Sequence, residues 1–136
     1  MANTTFSGPV RSENGFESIT KNGTTGAITT NATYGASITG GVQALSGAGA
    51  ADLTNLVTEL TTGAGAAAVT LADGTTSGQI KIIYMVVDGG GTATVTPATF
   101  ASGTSIAFDA VGEAVTLVWN SAIGWVAVSS RNATIS

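Results

Sequence analysis

Along the second half of the chain, apolar and polar positions alternate in short runs, each closed by Gly, Asp, Asn or Pro. Runs of this length and spacing predict an all-β domain. Between Gln79 and Val87, Ile80, Ile82 and Tyr84 share one face, and Lys81, Ile83 and Met85 the other. Val115, Leu117 and Trp119 alternate with Thr116 and Val118; the chain then turns at Asn120 to Gly124 and returns through Trp125 to Val128. That pattern predicts a hairpin. Shorter strands are predicted at Val69–Leu71, Thr92–Thr96 and Ser105–Phe108. Asp88-Gly-Gly-Gly91 reads as a hairpin turn, because Gly tolerates positive φ. Pro97 closes the strand before it, since it has no N–H to give to a ladder.

Asp52 to Leu60 reads two ways. Leu53, Leu56, Val57 and Leu60 fit one face of a helix, whereas Thr54, Thr58, Thr61 and Thr62 favour extended structure. The strand reading is preferred. The total, roughly seven to nine strands, predicts an antiparallel β-sandwich or a jelly-roll-like barrel. No sequence period of roughly twenty to fifty residues is visible, so no solenoid is expected.

Residues 1–45 have a different texture. Phe6, Val10, Phe16, Ile19, Ile28, Tyr34, Ile38 and Val42 are isolated among Gly, Thr and Asn, with turn signals at Glu13-Asn-Gly15 and Lys21-Asn-Gly23. So little apolar surface does not offset the entropy of ordering the segment. Residues 1–45 are therefore expected to be either a flexible leader or an extended arm ordered by binding, with Phe6 and Phe16 favouring the arm, ahead of a β domain at residues 46–136.

Charge changes the picture most. Charged residues make up 9% of the chain, hydrophobic ones 43%, and there are 19 Gly. The surface must then be largely Thr, Ser, Gly, Asn and Ala. Hydroxyls are far cheaper to desolvate than ions, so such a surface suits lasting contact with another protein. The net charge of −4, with only Arg11, Lys21, Lys81 and Arg131 basic, argues against nucleic acid. No apolar run is long enough for a membrane helix, and the first residues lack the pattern of a secretory signal.

Candidate chemistry is sparse. The chain has no His and no Cys. That removes Ser-His and Cys-His nucleophiles and the usual zinc ligands. Asp73, Asp88 and Asp109 sit at turns, where Asp commonly bonds its own backbone. Asp109 and Glu113 flank one turn and are considered for Ca²⁺, without the spacing of an EF-hand loop. Asp88-Gly-Gly-Gly-Thr92 lacks the Lys-Ser/Thr ending of a phosphate loop. Trp119, Trp125, Tyr84 and Tyr34 are candidates for a sugar-stacking platform, although the alternation around Trp119 favours the core. No enzyme, cofactor or metal is expected.

Several runs carry a resemblance. They are Thr70-Leu-Ala-Asp-Gly74, Gly78-Gln-Ile-Lys-Ile82, Val87-Asp-Gly-Gly-Gly91, Val115-Thr-Leu-Val-Trp119 and Gly124-Trp-Val126. Together they resemble small bacteriophage virion proteins of marine and cyanobacterial phages, associated with head decoration or with tails and fibres. The opening Thr4-Thr-Phe-Ser-Gly-Pro-Val-Arg-Ser-Glu-Asn-Gly15 resembles the leader of capsid-associated members. The resemblance implies a capsid decoration or cement protein, bound as a homotrimer to the major capsid protein on the virion surface after assembly in the host cytoplasm. Phe6, Val10, Arg11 and Phe16 are the expected capsid or subunit contacts. The alternative is a tail-fibre module that recognises host surface glycan.

Overall fold

The computed structural model describes residues 16–34 and 41–136, and every regular element in them is a strand. The chain divides into two units, Met1–Ile38 and Thr39–Ser136.

In the first unit, β1 (Phe16–Lys21) and β2 (Ile28–Tyr34) form an antiparallel hairpin, with a register shift between Ser18 and Ile19. The turn falls where Lys21-Asn-Gly23 predicts one. The Asn22 side-chain oxygen accepts the amides of Thr24 and Thr25 at 2.9 and 3.0 Å. Of the expected contact residues, Phe16 opens β1 opposite Tyr34. Phe6, Val10 and Arg11 lie outside the described residues.

The second unit contains β3 (Val42–Ser46), β4 (Gly49–Ala51), β5 (Val57–Thr61), β6 (Ala67–Leu71), β7 (Ile80–Val87) and β8 (Ala93–Pro97). It continues with β9 (Ile106–Phe108), β10 (Ala114–Asn120), β11 (Gly124–Arg131) and β12 (Thr134–Ile135). They form two five-stranded sheets, ordered β11-β10-β7-β5-β3 and β12-β9-β8-β6-β4. The predicted strands at Val69–Leu71, Gln79–Val87, Thr92–Thr96 and Ser105–Phe108 are present, as is the β10–β11 hairpin. β3 begins inside the stretch expected to be an arm and pairs with β5. Asp52–Leu60 is strand only in its second half, from Val57; Leu53 to Leu56 form a bend.

Two expectations about connectivity need correction. The sheets are mixed rather than antiparallel, because β3·β5, β5·β7, β4·β6 and β6·β8 are parallel pairs. From β3 to β8 the chain crosses from one sheet to the other at every step, so each strand stacks on the next-but-one. This is a short coil, which the sequence conceals. Val42 stacks on Val57 and Val57 on Ile82, in steps of 15 and 25 residues, so no fixed period results. Asp88-Gly-Gly-Gly91 likewise turns the chain, but it joins strands of different sheets and closes no hairpin.

The two sheets share one core. Leu60, Ile83, Met85, Val115 and Leu117 from the first meet Val69, Leu71, Val95, Ile106 and Phe108 from the second. Fully burying an aliphatic or aromatic side chain contributes about 1.5–3 kcal/mol. Trp119 and Trp125, paired across the terminal hairpin, fill one end of this core. Their rings meet edge to face with centroids 5.4 Å apart. The loop after β6 covers them: the Trp125 indole N–H donates to Ala72 O at 2.9 Å, and Gly78 N–H donates to Trp119 O at 2.8 Å. At the other end, successive crossovers stack backbone on backbone. Thr62 N–H donates to Val87 O, and Ala67 N–H to Thr92 O.

Candidate contact surface

Most ionisable groups of the second unit are engaged locally. Asp88 accepts the Gly90 amide at 2.7 Å, the turn role its sequence position predicts, whereas Asp73 accepts not a turn amide but the hydroxyl of Thr99, 26 residues away, at 3.1 Å. Glu113 is buried and turned inward. Its Oε2 accepts the amides of Asp109 and Ala110 at 2.7 and 3.3 Å, so its carboxylate serves the turn rather than an open ion site beside Asp109.

Lys81 is the most deeply buried charge, at 1% exposure. It lies on the inward face of β7, and its ammonium donates to Asn55 O at 2.8 Å. Asp52 stands 4.0 Å away, its carboxylate also accepting the Thr54 and Asn55 amides and the Asn55 side chain. The cluster ties the bend before β5 to the neighbouring strand. Burial pushes the Lys81 amine below its ordinary value, and Asp52 only partly opposes this. For Asp52, burial alone would raise the carboxyl, yet the Asn55 hydrogen bonds, Lys81 and Thr54 together hold it below its usual value.

A depressed carboxyl contributes stability above its unfolded value, and that stability is lost as pH falls through the folded value. A depressed amine acts differently. Its buried charge costs stability below the folded value, and the cost is relieved as pH rises toward the unfolded value. Asp52→Ala is expected to cost about 1–2 kcal/mol, because it strands a buried ammonium and uncaps two amides. Lys81→Met is expected to stay within about 1 kcal/mol of the parent, because an apolar replacement needs no partner. Urea unfolding at neutral pH checks both, with the double variant alongside; single costs that simply add would show that the pair is not coupled. In acid, the Lys81→Met variant should lose less stability than the parent as Asp52 protonates.

The two outer sheet faces contrast sharply. On the second sheet, register aligns Ala50, Thr70 and Thr96 in one row, with Ala68, Thr94, Ala107 and Thr134 in the next. No charged residue occurs in either row. On the first sheet one row is Val42, Val57, Ile82 and Thr116, and another is Ile80, Val118 and Val126. Val42 is 53% and Ile80 48% exposed, high values for branched apolar side chains. Beyond the Ile82 row, on the side away from Ile80, lies a third, Ala44, Glu59, Tyr84 and Ala114. The Tyr84 hydroxyl donates to Glu59 Oε1 at 2.5 Å. That hydrogen bond, with partial burial and the carboxylate's charge, raises the phenol above its usual value.

This apolar face was not singled out by sequence, which placed the contacts in the leader. The signal was nonetheless present, in a strand with apolar residues on both faces from Ile80 to Met85. The stacking platform fares differently. Trp125 is fully buried and Trp119 nearly so, so neither indole face is open to a sugar. Comparison with known proteins finds no matching protein family and no matching curated protein.

Proposed function

We propose that this chain is a structural virion protein that works by contact, decorating the outer surface of a phage head and stabilising the major capsid lattice. The observation that carries the reading is the near-absence of charge on both outer sheet faces, where only one carboxylate, Glu59, falls in the rows described. Such faces are inexpensive to desolvate, as a protein buried against a shell requires. On this reading the two sheets form a sandwich whose parallel half departs from jelly-roll order, and residues 1–45 include an arm that engages the lattice through Phe6, Val10, Arg11 and Phe16. Several weak contacts on one particle reinforce one another through effective concentration. The glycan-binding alternative is disfavoured by the burial of both indoles.

Quantitative mass spectrometry of purified particles tests the proposal. Decoration predicts copies in simple ratio to the major capsid protein. A handful per particle would move the chain to the tail, and absence would end the virion reading. Deletion of residues 1–20 is expected to abolish capsid binding while the β domain keeps its circular dichroism and melting transition. Retained binding would remove the leader from the contact.

A further inference from the structure

We propose that two copies of this chain pair face to face through the outer surface of the first sheet, about a two-fold axis running along the strands between β7 and β10. The inference does not depend on the virion reading. It begins with the row next to that of Ile82: Ala44 on β3, Glu59 on β5, Tyr84 on β7 and Ala114 on β10. Ser130 pairs with Val115, an inward position, so alternation brings the next residue of β11, Arg131, to the outer face, one residue before Asn132, which bridges Ala114. The guanidinium agrees: Nη1 lies 3.7 Å from where a Cβ on Gly112, two residues before Ala114, would stand. The row therefore reads Ala, Glu, Tyr, Ala, Arg.

Arg131 is exposed, and Lys81, the other base in residues 41–136, is buried. The one carboxylate and the one exposed cation of this face thus stand in a single row, three strands apart. An axis between β7 and β10 exchanges β7 with β10 and β5 with β11. It sets Glu59 of each copy over Arg131 of the other and fits the large Tyr84 against the small Ala114. The same operation places Ile82 over Thr116 and Ile80 over Val118 in the next two rows. Every charge on the face meets its opposite, and bulk meets space, as a self-complementary surface requires.

The size suits a weak dimer. The four strands that the axis exchanges, at about 4.8 Å spacing with five or six residues each at about 3.3 Å, span roughly 19 by 18 Å, and β3 stays outside the contact. Pairing two such faces buries roughly 700 Å², which puts the contact in the weak, transient class. Aligned sheets pack at about 30° because each is twisted, which this arrangement accommodates. The resemblance to decoration proteins implies three copies; this row pairs two.

The test is sedimentation equilibrium of the full chain across micromolar concentrations, with charge reversals at the two charged positions of the row. The expected result is a monomer–dimer equilibrium. Glu59→Arg and Arg131→Glu should each weaken dimerisation roughly tenfold, since symmetry breaks the pair twice and adds repulsion. The double variant E59R/R131E should recover most of the parent affinity. Circular dichroism keeps folding separate, and Ile82→Ser should weaken the dimer without the charge dependence. A monomer at every concentration, a trimer, or a double variant as weak as the sum of its parts would overturn the proposal. A full-length monomer in which the leader cross-links to β7 would assign the face to residues 1–40 instead, and would equally overturn it. None of these results bears on particle copy number, so the two proposals fail separately.

Discussion

Trp125→Ala is expected to cost about 3–5 kcal/mol, enough to unfold much of a marginally stable domain at room temperature. Three losses combine. The indole is fully buried, so its removal opens the largest cavity a single truncation can make in this core. Its N–H bond to Ala72 O disappears, leaving a loop carbonyl without that donor. Trp119 also loses its edge-to-face partner, an arrangement worth about 0.5–1.5 kcal/mol beyond area burial. Urea unfolding followed by far-ultraviolet circular dichroism measures the sum. A cost under about 1 kcal/mol would mean that the terminal hairpin does not seal the core. Trp125→Phe should recover part of the stability, because it restores ring volume but not the hydrogen bond.

The second large effect concerns a residue with no side chain. A Cβ on Gly91 would stand 2.0 Å from Gly65 O and 2.6 Å from Gly63 O, both backbone atoms of the crossover beneath. Neither atom can swing aside as a side-chain tip would. Gly91→Ala must therefore push two stacked crossovers apart, at an expected cost of about 2–3 kcal/mol by the usual scale of overpacking. The contrast is Gly63→Ala. A Cβ there meets nothing within 4 Å, so the change should be neutral or stabilising by up to about 1 kcal/mol through the unfolded chain. Thermal melts of the two variants side by side decide the matter. Equal melting temperatures would show that the crossovers are not packed as described.

Gly91 also shows why the run Asp88 to Gly91 misleads a reader of sequence. A Gly-rich turn between two strands suits a hairpin, where positive φ is needed. Gly90 does have φ of 95°, as a turn would require. At Gly91 the glycine answers to another demand, the approach of a backbone some 26 residues earlier in the chain. A local pattern cannot separate these two causes. The same limit hid the parallel pairings, because β5 and β7 are adjacent in space but belong to crossovers of unequal length.

Strand positions, by contrast, are local facts. The alternation of Val115, Leu117 and Trp119, the Pro97 stop and the turn at Asn120 to Gly124 rest on the two-residue period of a strand and on turn chemistry, and both were legible. Alternation also sorted β7 into its two faces. It did not say which face points inward. The face with the lysine is buried, because at the end of the sheet the ammonium finds Asn55 O and Asp52, while Ile80 and Ile82 are left on the outside. Composition likewise announced a surface poor in charge without saying where its few charges lie. The sequence by itself determined that this protein is built of strands, where most of them run and which residues turn the chain. Only the tertiary structure decided which strands pair, which face of each is covered, and that Glu59 and Arg131 end up in one row, because those outcomes depend on contacts between residues far apart in the chain.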